Sequence, residues 1–129
     1  MINKKILIVD DDRDFLVALQ VRLEGHGYHV VSAVDVLGAL DAVETETPDL
    51  IILDIRLFVG NGILLLRRLK STDSFANVPV IILTAQQPGF LREEAFKHGA
   101  VAYFQKPADN EKLLSAMRNA LHEPSGIGR

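Results

Sequence analysis

Asp10-Asp11-Asp12, Asp54, Thr84 and Lys106 are the residues of this chain whose types and positions could work together chemically. Each acid group, the hydroxyl and the ammonium follows or ends a short apolar run: Ile6-Leu7-Ile8-Val9, Leu50-Ile51-Ile52-Leu53, Val78-Pro79-Val80-Ile81-Ile82-Leu83 and Val101-Ala102-Tyr103-Phe104-Gln105. Taken singly, each has an ordinary explanation. Acids favour helix N-termini, so Asp10 to Asp12 could cap a helix and Asp54 could be a turn acid. Thr84 is a good strand residue, and Lys106 before Pro107 could be a loop lysine. The conjunction is less ordinary. Carboxylates about 4 Å apart repel by about 4 kcal/mol per pair at an effective dielectric near 20, so a cluster of them calls for a cation. Hard oxygen ligands with open positions suit Mg²⁺, which combines one or two carboxylates with waters and phosphate oxygens. A carboxylate can also be a nucleophile that forms an aspartyl-phosphate. In-line phosphoryl transfer asks chiefly for positioning and charge neutralisation, which Mg²⁺, Lys106 and a hydrogen bond from Thr84 would supply. Ala85 is small and leaves room for the group.

The elements needed to hold these residues are legible in the pattern. Pro48-Asp49-Leu50-Ile51-Ile52-Leu53-Asp54 is a turn, a continuous apolar run and one carboxylate. A run without alternation predicts a strand buried on both faces, as in a parallel sheet. Similar strands are predicted at Ile6–Val9, Tyr28–Ala33, Val78–Thr84 and Val101–Gln105. Between them, apolar residues at helical spacing predict helices over Arg13–Gly25, Val36–Glu46, Ile63–Lys70 and Pro88–His98, with a last helix capped by Asp109 and carrying Leu113, Leu114, Met117 and Leu121 on one face. Pro88 is read as an early helical residue, and Asp35 as a cap. Five alternations of strand and helix predict an α/β domain, a parallel sheet with helices on both faces. Chemistry then gathers outside the carboxyl ends of the strands, where the residues above stand.

The bulk properties narrow the field. The chain has 129 residues, 48% hydrophobic and 24% charged, which is one globular domain by size. A net charge of −3 gives no basic footprint for nucleic acid. There is no cysteine, hence no disulfide, thiolate metal site or cysteine nucleophile. No stretch approaches a membrane span or a signal sequence, so a cytoplasmic location is expected. His26, His29, His98 and His122 lack metal-ligand spacing, and His98 suits a helix C-terminus.

Four pieces in order resemble the receiver domain of bacterial two-component response regulators, the CheY-like family: Ile6-Leu7-Ile8-Val9-Asp10-Asp11-Asp12, Leu53-Asp54-Ile55-Arg56-Leu57, Pro79-Val80-Ile81-Ile82-Leu83-Thr84-Ala85 and Lys106-Pro107. The spacings fit as well, 84 − 54 = 30 and 106 − 84 = 22. The resemblance covers roughly residues 4 to 122 and implies a receiver domain over 1–122, with 123–129 as a tail or linker start. It implies a flavodoxin-like doubly wound (βα)5 fold with sheet order 2-1-3-4-5. It further implies that Asp54 accepts a phosphoryl group from a sensor histidine kinase or phosphotransfer protein. Asp11 and Asp54 would bind Mg²⁺ through their side chains, the Arg56 backbone carbonyl would add a ligand, and Asp10 would act mainly through a water. Asp12 would cap the first helix. Thr84 and Tyr103 would be the switch pair, reporting to a face made of the fourth helix, fifth strand and fifth helix that controls a downstream partner or output domain. Tyr103 could instead be simply a half-buried sheet aromatic. A monomer or a weak phosphorylation-dependent dimer is expected, without direct nucleic-acid or membrane binding.

The sequence departs from the family after Asp54-Ile55-Arg56-Leu57, where a proline is usual and Phe58-Val59-Gly60 stands instead, before a matching Asn61-Gly62. Phe58 or Val59 could contact a partner or shield the phosphoryl group, or Phe58 could fold onto the domain's own surface. Arg56 and Gln86 hold positions that tune hydrolysis in the family, and Arg56 could instead pair with the acids. Ala108 replaces a larger apolar residue. Three other functions compete. A phosphatase or mutase with an aspartate nucleophile wants a second acid where Arg56 stands. A dinucleotide-binding domain needs a glycine-rich turn where Asp10-Asp11-Asp12 would repel pyrophosphate. A receiver that no longer phosphorylates would lack a key residue, and none is missing. Whether the chain is a stand-alone receiver or part of a longer regulator is left open.

Overall fold

The computed structural model describes residues 3–56 and 62–123. Ten elements alternate: β1 Lys5–Val9, α1 Arg13–Glu24, β2 His29–Ala33, α2 Val36–Glu46, β3 Leu50–Leu53, α3 Gly62–Ser71, β4 Val80–Thr84, α4 Phe90–Lys97, β5 Ala102–Gln105 and α5 Asn110–Ala120. The strands form one parallel sheet in the order β2-β1-β3-β4-β5, the flavodoxin-like doubly wound arrangement expected.

Why the central strands lack alternation is clear from their packing. Leu7, Val9, Ile51, Leu53 and Ile82 point to one face and are covered by α2, α3 and α4 through Val43, Leu65, Leu66, Leu69 and Ala95. Ile6, Ile8, Leu50, Ile52, Ile81 and Leu83 point to the other, beneath Leu16, Leu19 and Leu23 of α1 and Leu113, Leu114 and Met117 of α5. Both faces are core, so both sets of side chains must be apolar. Each fully buried aliphatic side chain contributes about 1.5–3 kcal/mol, which fixes these strands firmly and leaves their ends to vary.

The helix starts follow the acids. Asp12 accepts from the Phe15 N–H at 3.1 Å, Asp35 from Gly38 at 2.7 Å and Asp109 from Lys112 at 3.1 Å, capping α1, α2 and α5. Such caps contribute about 0.5–2 kcal/mol each. α1 ends in a turn in which the Tyr28 N–H reaches the Leu23 carbonyl and the Gly27 N–H that of Glu24. That turn needs the left-handed backbone of Gly27, at φ 91°. α4 differs from the sequence reading. Pro88 lies outside the helix, Gly89 is the N-cap without a side-chain hydrogen bond, and Phe90 is the first helical residue. Strand β4 starts at Val80, not Val78, since Pro79 has no N–H to give the ladder.

At the domain's other end, the Glu123 N–H bonds the Arg118 carbonyl at 2.8 Å and its carboxylate accepts from the Tyr28 hydroxyl at 2.9 Å. Residues 124–129, read as tail together with Glu123, lie outside the described residues, as do Leu57, Phe58, Val59, Gly60 and Asn61. Among the described residues no helix is long and apolar enough to cross a membrane.

Candidate phosphoacceptor site

The sheet register brings the rim residues together. Val9 is paired with Leu53, and Leu53 with Ile82. The ladder then runs one residue further: the Asp10 N–H bonds the Ala33 carbonyl at 3.1 Å, the Asp54 N–H that of Val9 at 2.9 Å, and the Lys106 N–H that of Thr84 at 2.7 Å. Asp10, Asp54 and Lys106 are therefore held by sheet hydrogen bonds even though they stand just past the strands. This gives their side chains a rigid base, which a surface loop would not.

Among the described residues, the buried polar or charged ones are Asp10, Asp54 and Thr84, at 3%, 6% and 0% exposure, and all three meet here. Asp54 Oδ1 accepts from the Thr84 hydroxyl at 2.6 Å and from the Arg56 N–H at 2.9 Å. Asp54 Oδ2 faces Lys106 Nζ at 3.4 Å, and the same ammonium lies 2.5 Å from Asp10 Oδ2. Asp10 Oδ1 accepts from the Asp12 N–H at 2.9 Å. Burial pushes the Asp10 carboxyl above its ordinary range, with the Asp54 charge adding to the effect, and the hydrogen bonds from Lys106 and Asp12 and the Lys106 charge only partly oppose it. Burial works against the Lys106 ammonium, but its bond to Asp10 and the charges of Asp10 and Asp54 win, and its pKa is raised.

Oxygens of Asp10, Asp11 and Asp54 lie within 4.8 Å of one another. Three carboxylates against the Lys106 ammonium leave a charge of −3 + 1 = −2 when all are ionised. An all-oxygen donor set with that deficit fits a hard divalent cation. Asp12 is occupied as the α1 cap. The Arg56 N–H serves Asp54, and its residue is exposed.

Tyr103 is half-buried on β5, and its hydroxyl donates to the Gln86 carbonyl at 2.9 Å, tying β5 to the loop that leads from Thr84 into α4. Burial and the Asp54 charge both raise its pKa, against the charge of Arg92. His98 is the C-cap of α4 and lies 3.6 Å from Glu94. The sequence reading overlooked one neighbour of the site, Phe15, whose ring centroid is 4.0 Å from Lys106 Nζ. Phe15 falls within the apolar helical spacing of α1, and nothing in that spacing marks it as a site residue.

The profile of the response regulator receiver domain family matches residues 6–118. This chain is a member of the response regulator receiver family. The receiver is 37% identical over 121 residues to sporulation initiation phosphotransferase F of Bacillus subtilis, spanning 94% of this chain and 96% of that protein. It is 40% identical over 119 residues to the alkaline phosphatase synthesis transcriptional regulatory protein PhoP of the same species, covering 92% of this chain and 49% of PhoP. It is 39% identical to the transcriptional regulatory protein ZraR of Klebsiella oxytoca, of which it spans 26%. The receiver thus matches nearly the whole of one relative and a quarter to a half of the others. Among solved structures, it superposes on a CheY-like response regulator receiver domain protein of Methanospirillum hungatei with a TM-score of 0.86 and 30% identity, covering 94% of this chain and 95% of that one. The TM-score to the Vibrio cholerae chemotaxis protein CheY4 is also 0.86, at 26% identity.

Proposed function

We propose that this receiver is a phosphoacceptor switch in which Asp54 takes a phosphoryl group from the phosphohistidine of a sensor kinase or phosphotransfer protein. The observation that supports it best is the meeting of the three buried polar residues, Asp10, Asp54 and Thr84, under one ammonium. Burying three such groups carries a desolvation cost that the hydrogen bonds and Lys106 have to offset, which an apolar rim would avoid.

A carboxylate oxygen of Asp54 attacks phosphorus as the P–N bond of the donor breaks. The bonding pair returns to the imidazole nitrogen, which takes a proton from water. The sheet bond from the Asp54 N–H to Val9 fixes the backbone of Asp54, and the Arg56 N–H on Oδ1 keeps its carboxylate from rotating away. Lys106 turns from Asp10 toward the equatorial phosphoryl oxygens. The Thr84 hydroxyl, now on Asp54 Oδ1, donates to one of them. Asp10, Asp11, Asp54 and the Arg56 carbonyl would hold Mg²⁺, which would supply neutralising charge for the transferred oxygens.

The readout follows from the tether on Tyr103. Thr84 ends β4, and the loop that follows carries the Gln86 carbonyl bonded by the Tyr103 hydroxyl. A phosphoryl group adds about −1.5 to −2 charges and draws Thr84, and Tyr103 passes that displacement to the face of α4, β5 and α5. Taking a population from 1:99 to 99:1 needs about 5.5 kcal/mol of differential stabilisation. A hydrogen bond to a charged group contributes about 1.5–3 kcal/mol, so binding of the downstream partner completes the shift. Residues 1–122 form the receiver in this proposal, 123–129 lead out of it, and the protein acts in the cytoplasm as a monomer or weak phosphorylation-dependent dimer.

Incubation with Mg²⁺ and acetyl phosphate, followed by intact mass, tests the proposal. One added phosphoryl group on the wild type and none on Asp54→Asn is expected. Labelling of Asp54→Asn to the same extent, or continuous turnover of phosphate monoesters without a stable adduct, would overturn it.

A further inference from the structure

Lys106 has a third neighbour besides its two carboxylates. The Phe15 ring lies across its ammonium, with the centroid 4.0 Å from Nζ. That is close enough for attraction between a cation and the negative face of an aromatic ring. The lysine side chain is 17% exposed, so the contact is partly desolvated and only weakly screened. Phe15 stands in the first turn of α1, three residues after the Asp12 cap, which bonds the Phe15 N–H itself. The cap therefore fixes the backbone from which the ring projects. Phe15 is partly buried against the core layer that α1 and α5 cover.

The nature of this neighbour matters for the reaction. In this structure the ammonium lies closer to Asp10 than to Asp54, 2.5 Å against 3.4 Å. During transfer it must leave Asp10 and face the phosphoryl oxygens. A third carboxylate would compete for it at every stage, and an aliphatic neighbour would leave it without a third partner. A ring face attracts the cation without offering a lone pair, so it restricts the ammonium while leaving its N–H groups to the oxygens.

We infer that Phe15 is a positioning residue for phosphoryl transfer, acting through Lys106 by holding its ammonium over the Asp54 pocket. The inference rests on the phosphoacceptor reading of Asp54. Its signature is a dependence on ring electronics that core packing does not share. Phe15→Leu keeps an apolar side chain but removes the ring, and is expected to slow labelling by acetyl phosphate by about two- to tenfold, the range of a partly exposed cation–ring contact. Phe15→Tyr and Phe15→Trp restore the face and are expected to label close to the wild-type rate. In a Lys106→Met background, Phe15→Leu should have no further effect. Urea midpoints of every variant report packing separately, and the ε-methylene protons of Lys106 should lose their ring-current shift in Phe15→Leu.

Equal labelling by wild type and Phe15→Leu would overturn the inference. So would a Phe15→Leu defect of the same size in the Lys106→Met background, which assigns the residue to the core alone. Failure of the wild type itself to label would overturn the phosphoacceptor reading and this role with it, and the wild-type control tells that failure apart from the first two.

Discussion

Thr84 offers a separation of structural from chemical contributions. Its side chain is fully buried, and its hydroxyl donates to Asp54 Oδ1 at 2.6 Å. Thr84→Val keeps the shape and removes the hydroxyl. Asp54 keeps the Arg56 N–H and Lys106, so it is not orphaned. The loss of one hydrogen bond to a charged group is about 1.5–3 kcal/mol, less what the remaining donors recover. A net loss of about 1–2 kcal/mol of stability is expected, a fall of roughly 3–10 °C in Tm for a domain of this size. Thr84→Ser keeps the hydroxyl and deletes one buried methyl, at about 1 kcal/mol. The two variants therefore lose similar stability for different reasons. Their chemistry should diverge. If the hydroxyl bonds the phosphoryl group in the transition state, Thr84→Val slows labelling by about 10- to 100-fold, while Thr84→Ser stays within a few-fold of wild type. Time courses of intact mass under Mg²⁺ and acetyl phosphate, with differential scanning calorimetry of each protein, give both quantities. Equal labelling rates in the two variants would refute the assignment of the hydroxyl, whatever the stabilities.

Other outcomes follow from the same geometry. The raised Asp10 carboxyl means that the folded protein retains a proton that the unfolded chain gives up above about pH 3.8. The stability this contributes is full below that pH and is lost as pH rises through the folded value. Mg²⁺ needs the ionised form, so stabilisation by MgCl₂ over EDTA should grow as pH rises above about 3.8 and through the folded value, and thermal melts of Asp10→Asn should lack most of that growth. A Cβ on Gly62 would lie 2.8 Å from the Asp54 carbonyl oxygen and still closer to Ile55 Cα. Gly62→Ala should cost about 1–3 kcal/mol in urea unfolding and slow labelling by displacing Asp54. Tyr28→Phe removes the hydroxyl bonded to Glu123 and should cost about 0.5–1.5 kcal/mol near neutral pH. The Tyr28 pKa is raised, through burial first and then Glu123. Its contribution is therefore present below about pH 10 and lost as pH rises through the folded value, so the wild type should lose stability in strong alkali more steeply than Tyr28→Phe.

The rim was readable in the sequence because of where each residue stands. Asp10 and Asp54 directly follow apolar runs that could only be buried strands, and Thr84 and Lys106 end or follow two more. Once the strands are parallel, topology alone gathers those ends. The acid caps of α2 and α5 are as plain, whereas three consecutive acids leave the cap of α1 open until the structure puts it on Asp12. α4 was misjudged because its N-cap is Gly89, which makes no side-chain bond, and Pro88 offered a more familiar start. Phe15 was hidden for another reason. Its partner Lys106 is 106 − 15 = 91 residues away, and their contact depends on how α1 sits over the sheet, which no local spacing encodes. The Phe58-Val59 departure falls outside the described residues.

A crystal grown with Mg²⁺ and beryllofluoride tests the central claim most directly, that Asp54 becomes a phosphate carrier because a divalent ion and Lys106 offset the charge around it. The adduct should sit on Asp54, with Mg²⁺ on the Asp10–Asp11–Asp54 cluster and both Thr84 Oγ1 and Lys106 Nζ within hydrogen-bonding distance of fluorine. An empty pocket, or an adduct on another carboxylate with Lys106 still on Asp10, would contradict it.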